Sequence, residues 1–183
     1  SDGKPMAESD DHRDEMIHAI QVLEDRFEAD LDVYVAGNNF IYYAEGVKKD
    51  CVSPDVYVVK GVPKKRRRTF KVWEEGGRAP CFVLEVTSKS TRHEDLGPKM
   101  TRYRDDLGVQ EYFIFDPFAE WVPERLRGYR LVEGVYQRIA PAASGRQRRV
   151  ASGRRAVRPR RPAPPPAWTT RSPSTLRPDI LPR

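Results

Sequence analysis

The sequence predicts an α/β protein of the α+β kind, a central mixed β-sheet flanked by helices, and three observations predict it. Apolar residues recur at helical spacing near the N-terminus and again around residues 98–107. Short runs rich in branched and aromatic side chains lie between and after them, closed by turn residues such as Gly37-Asn38-Asn39 and Asp116-Pro117. The resulting order is helix, strands, helix, strand, hairpin, which gives a mixed sheet with a helix on each side.

Asp10 or Asp11 caps a first helix over residues 10–28, with Met16, Ile20, Leu23 and Phe27 on one face. Acids crowd its first turn, where the helix dipole favours them. A strand over residues 32–36 and the run Phe40-Ile41-Tyr42-Tyr43 flank the glycine-asparagine turn. Charged residues 45–50 then lead to a strand that opens at Pro54-Asp55 and ends near Lys60-Gly61; alternation sets Asp55, Tyr57 and Val59 on one face. Residues 62–79 form a long basic surface loop carrying Lys64, Lys65, Arg66, Arg67 and Arg68, with a short strand or turn at residues 69–73.

The strand from Cys81 carries Val83, Glu85 and Thr87 on one face and Phe82, Leu84 and Val86 on the other. Apolar residues on both faces make it a central strand. Thr91-x-x-Glu94 fits a capping box that opens a helical turn. Pro98 either starts or kinks the helix that follows, whose stripe is Met100, Tyr103 and Leu107 and whose end is Gly108. Residues 111–115 are a strand stopped by Asp116-Pro117, and a hairpin over residues 128–139 turns at Glu133-Gly134.

The chain of 183 residues has room for one domain, placed at residues 1–140. Residues 141–183 differ in kind: eleven arginines, no lysine and one acid, Asp179, give them a net +10 and leave the first 140 residues at −4. The overall charge of +6 is therefore no argument for a basic nucleic-acid-binding domain. Rich in Arg and Pro and without apolar periodicity, this tail is expected to be disordered, and its bias is what a reading-frame change in GC-rich coding DNA would produce. No apolar run reaches the ~18 residues of a membrane span, and the polar, acidic start is no signal peptide. Cys51 and Cys81 lack zinc-ligand spacing and suit free thiols in the cytoplasm.

Glu85 is the residue that most needs explaining, because an acid in an apolar strand is costly unless a cation or a metal pairs it. Asp55 opens a neighbouring apolar strand. Two acids on adjacent core strands, with a lysine following, are what a magnesium-dependent nuclease needs: hard oxygen ligands, with the Val86 carbonyl as a third, for an ion that keeps several waters. The structural alternatives are a strand-terminating Asp55 and a buried salt bridge to Glu85. Side chains on opposite faces of the sheet would count against the metal.

The ordered run Pro54-Asp55, Glu85-Val86-Thr87-Ser88-Lys89-Ser90-Thr91-Arg92, Asp95, Lys99, Tyr103, Gly108-Val109-x-Glu111-Tyr112 and Phe115-Asp116-Pro117 resembles the Uma-type restriction endonucleases, a bacterial family of the PD-(D/E)xK nuclease superfamily. The likeness spans residues 3–139. It implies a restriction-endonuclease-like core, Asp55 and Glu85 as metal-binding acids, Mg²⁺ or alternatively Mn²⁺ as cofactor, and DNA as substrate, with a homodimer suiting a duplex cutter. The superfamily places a lysine two residues after the second acid, where this chain has Thr87. The resemblance moves that lysine to the following helix, at Lys99, with Lys89 as the runner-up.

Each remaining candidate has two readings. Lys99 serves catalysis or simply pairs with an acid, and Asp95, four residues before it, forms a helix ion pair with it. Glu8 and His12 supply a further acid or base, or are surface groups. The Lys64–Arg68 run contacts phosphates, with Phe70 and Trp73 stacking on a base, or is a solvated loop. For the whole chain the alternative to a nuclease is a non-catalytic nucleic-acid-binding or structural domain of the same fold.

Overall fold

The computed structural model describes residues 9–140; Glu8 and the Arg/Pro-rich residues 141–183 lie outside the described residues. Helix α1, Asp10–Arg26, packs on one face of a six-stranded sheet. In chain order the strands are β1 (Val33–Ala36), β2 (Ile41–Tyr42), β3 (Cys51–Val52), β4 (Val56–Lys60), β5 (Phe70–Lys71), β6 (Phe82–Val86), β7 (Glu111–Phe115), β8 (Leu126–Val132) and β9 (Val135–Arg138). The main sheet runs β1-β4-β6-β7-β8-β9, and all its pairs are antiparallel except β6 with β7. It is the mixed sheet that the sequence predicts. A small second sheet, β3-β2-β5, was not foreseen.

The parallel pair needs a crossover, since two parallel neighbours cannot be joined by a tight turn. That crossover contains α2 (Arg92–Asp95) and α3 (Pro98–Asp105), and it carries the chain over the face of β6 opposite α1. Pro98 starts α3, at a position where its missing N–H costs no helical bond. The capping box does not form: the Thr91 hydroxyl accepts from Ser88 N at 3.0 Å instead of capping α2. Likewise α1 is capped by Ser9, which accepts from His12 N at 3.2 Å, rather than by Asp10 or Asp11. It ends at Arg26, so Phe27 caps the helix from outside.

Alternation divides the β6 side chains between two cores. Val56, Leu84 and Val86 meet Met16, Ala19, Ile20 and Leu23 of α1. Tyr57, Val59 and Val83 join Tyr103, Leu107, Tyr112 and Ile114 on the other side. Glu85, fully buried, lies on this second side. Among the described residues no helix is long and apolar enough to cross a membrane.

Candidate active site

Register brings the two acids together. The pairing Val56↔Leu84 and Tyr57↔Val83, continued by one residue, sets Asp55 opposite Glu85. Directly opposed residues of an antiparallel pair share a face. Beyond the last ladder bonds, side chains take over from the backbone: Asp55 N donates to Glu85 Oε2 at 3.3 Å, and Val86 N donates to Asp55 Oδ2 at 2.8 Å. Gly37 makes this junction close. A Cβ there would stand 2.0 Å from the Asp55 carbonyl oxygen and 2.9 Å from Ile20, while Asn38 N donates to Pro54 O at 2.9 Å.

The crossover delivers a lysine to the acids. Lys99 Nζ, on α3, lies 3.1 Å from Glu85 Oε2 and 3.0 Å from Asp95 Oδ1. Asp95 is itself buried, so this ammonium is the cation its carboxylate meets. Tyr103, one turn after Lys99, donates to Glu85 Oε1 at 2.5 Å. From the far side of the sheet, His12 of α1 places Nε2 3.2 Å from Asp55 Oδ2.

Two carboxylates, Glu85 and Asp95, thus meet one ammonium, and Asp55 stands beside Glu85 across the strand pair. Burial pushes the Glu85 carboxyl up to about 8; Lys99 opposes that rise, while Asp55 and Asp95 add to it. Burial alone would lower the Lys99 ammonium, but Glu85, Asp95 and Asp55 together hold it above the usual lysine range. Tyr103 is raised by burial and by Glu85. Burial and the neighbouring acids thus favour the protonated form of Glu85, while Lys99 and the Tyr103 hydroxyl favour the ionised one.

A divalent cation could take that proton's place. Among the described residues no three His, Cys, Asp or Glu side chains form a ready metal cage. Two carboxylates at the end of a strand pair, with Asp55 reaching solvent at 13 % exposure, still suit an ion that retains most of its waters. Val86 touches Asp55 through its N–H.

The other candidates fall outside the cluster. Lys89 is exposed past the end of β6. The Thr87 side chain, 3 % exposed, has no hydrogen-bond partner among the described residues. Most of the basic loop is engaged in structure. Arg67 holds Glu75 through two bonds of 2.8 and 2.9 Å and stacks its guanidinium 4.3 Å from the Tyr34 ring centroid. Lys65 also pairs with Glu75, and Lys64 donates to the carbonyls of Phe27 and Glu28. Arg66 and Arg68 stay exposed. Phe70 is fully buried, which removes it as a stacking platform. Gly37 and the Tyr103 hydroxyl are the site residues that sequence reasoning missed; no local pattern marks either.

A family model, Uma2, described as "Putative restriction endonuclease", matches residues 2–156. Among solved structures, a "putative nuclease belonging to DUF820" from Anabaena variabilis ATCC 29413 matches with a TM-score of 0.52 at 14 % identity, over 76 % of this chain and 74 % of its own. That likeness is one of fold. No curated protein matches the chain.

Proposed function

The chain belongs to the Uma2 family of putative restriction endonucleases, and on that premise we propose that it hydrolyses DNA phosphodiester bonds at the Asp55–Glu85–Lys99 cluster with Mg²⁺ or Mn²⁺. The observation that carries this is the carboxylate surplus: two acids on one ammonium, Glu85 fully buried between that ammonium and a third acid, Asp55.

Asp55 and Glu85 would hold the ion, with the Val86 carbonyl as a third oxygen ligand. When bound, a divalent cation lowers the pKa of a coordinated water and offsets charge on the phosphate. Lys99 orients that water or meets the charge that develops on the phosphoryl oxygens. Tyr103 fixes the Glu85 carboxylate, His12 braces Asp55, and Asp95 holds Lys99 on its second side. Exposed Arg66 and Arg68 are the part of the basic loop left to meet DNA. Residues 1–140 form the nuclease domain, with residues 141–183 as a basic appendage. The protein works in the cytoplasm, where Cys51 and Cys81 stay reduced, and a homodimer would serve to cut both strands of a duplex.

One observation favours the non-catalytic alternative: Lys99 already pairs with Glu85, which is how a merely structural buried acid is satisfied. Plasmid cleavage by the full chain separates the two. Nicking or linearisation that needs Mg²⁺ or Mn²⁺ and disappears in Asp55→Ala, Glu85→Gln and Lys99→Gln supports the nuclease. Absence of cleavage, together with no calorimetric metal binding with or without duplex, would leave the binding-domain alternative standing.

A further inference from the structure

Next to the carboxylate cluster lies a cavity of about 200 Å³ whose wall includes His12 and Thr87 on the cluster's side and Lys89, Phe118 and Trp121 on the other. The loop after β7 that presents the two aromatic rings is firmly held. Asp116, 1 % exposed, accepts from Phe118 N at 3.1 Å, Trp121 N at 2.6 Å and Val122 N at 2.9 Å. Phe118 is nonetheless 61 % exposed. The Arg92 guanidinium stacks 3.8 Å from the Trp121 ring centroid and donates to Lys89 O at 3.0 Å. Thr87, its side chain buried, is part of the same wall.

Two aromatic rings and the Lys89 ammonium around one hollow, with the Arg92 guanidinium stacked on Trp121, make a site for a base and its phosphate. In an intact duplex each base is already stacked and paired, so it has no free face to offer these rings. The volume has room for a single base and not for a helix. Glu120, exposed on the rim, leaves the Lys89 side as the place for phosphate.

We propose that this cavity is a subsite for an unpaired nucleotide of the DNA strand being cut, its base stacked on Phe118 and Trp121 and its phosphate on Lys89. The proposal rests on the nuclease function, since the wall shared through His12 is what sets the nucleotide beside Asp55. The preferred substrate is accordingly single-stranded or locally opened DNA.

The test is binding by the full chain in chelator at about 0.15 M salt, where the arginine-rich residues contribute equally to every variant. The probe is an oligothymidine of about 12 nucleotides with one central 2-aminopurine, whose fluorescence falls on stacking, alone or annealed to its complement. Wild type is expected to quench the single strand and bind it more tightly than the duplex. Phe118→Ala and Trp121→Ala should weaken the strand roughly ten-fold or more each, with Trp121→Phe retaining most of the affinity. Phe118 is exposed enough for its loss to leave folding intact, so that variant stays decisive if Trp121→Ala unfolds. Equal affinity for strand and duplex without quenching, or unchanged affinity in Phe118→Ala, overturns the subsite. Quenching without any metal-dependent cleavage would sink the nuclease function and leave the subsite; cleavage without quenching does the reverse.

Discussion

Replacing Glu85 by glutamine isolates the charge at the centre of the site. The carboxamide fits the same hydrogen bonds, with its oxygen toward Lys99 and Asp55 N and its NH₂ donating to a turned Tyr103 hydroxyl. What changes is titration. Burial pushes the native carboxyl up to about 8, from an ordinary value of 4.5. A raised carboxyl stabilises the fold fully below the ordinary value and loses that contribution as pH climbs toward about 8, because the unfolded chain releases its proton first. Each pH unit of that window removes at most about 1.4 kcal/mol, so wild type should lose several kcal/mol relative to Glu85→Gln. The assay is urea unfolding of both proteins in chelator at pH 5, 6, 7 and 8, read as the difference between them so that other titrating groups cancel. Parallel stability curves would refute the reasoning and mean that Glu85 is already ionised beside Lys99. The same proton links to metal: an ion held by Glu85 should bind more tightly as pH rises toward about 8 and release close to one proton.

Three further outcomes follow from the geometry. Tyr103→Phe removes the donor to Glu85 Oε1, and an acceptor left unmet in the core should cost about 1–3 kcal/mol in urea unfolding. Because that hydroxyl helps to lower the Glu85 carboxyl, metal binding in the variant should also shift to higher pH. Gly37→Ala drives a methyl group to 2.0 Å from the Asp55 carbonyl oxygen; strand β1 or the Asp55 junction must yield, with about 1–3 kcal/mol of stability lost and cleavage depressed beyond what stability explains. In the basic loop, Arg67→Ala should destabilise the fold by about 1–3 kcal/mol through Glu75 and the Tyr34 stack, whereas Arg66→Ala and Arg68→Ala should stay within about 0.5 kcal/mol while weakening DNA binding and its salt dependence.

Much of this arrangement was legible in the sequence. Glu85 stood out because an apolar strand rarely carries an unexplained acid; alternation gave each acid a face of its own strand, and the β4–β6 register is what sets them opposite each other. Pro98 left a helix start or a kink open, and the structure has the start. What escaped reading depends on distant partners. Gly37 is required by the Asp55 carbonyl, eighteen residues on, and Tyr103 looked like one more apolar-stripe residue until its hydroxyl met Glu85. Capping was misplaced because several adjacent polar residues compete for the same N–H groups: Ser9 prevails over Asp10 and Asp11, and Thr91 turns toward Ser88. Strands of two residues, as in the β3-β2-β5 sheet, are too short to show a period at all.

The opposition of Asp55 and Glu85 has a bearing on folding as well as on chemistry. Side chains change face with every residue of slip, so aligning β4 one position out on β6 would separate the two acids to opposite sides of the sheet. Lys99 reaches Glu85 only after the parallel β6–β7 pair has closed over its helical crossover, among the slower kinds of contact for a chain to find. During refolding, recovery of the cluster should therefore lag behind recovery of secondary structure. A metal titration followed in time would serve as a gauge of strand alignment, blind to any compact state whose β4 and β6 are paired but out of step.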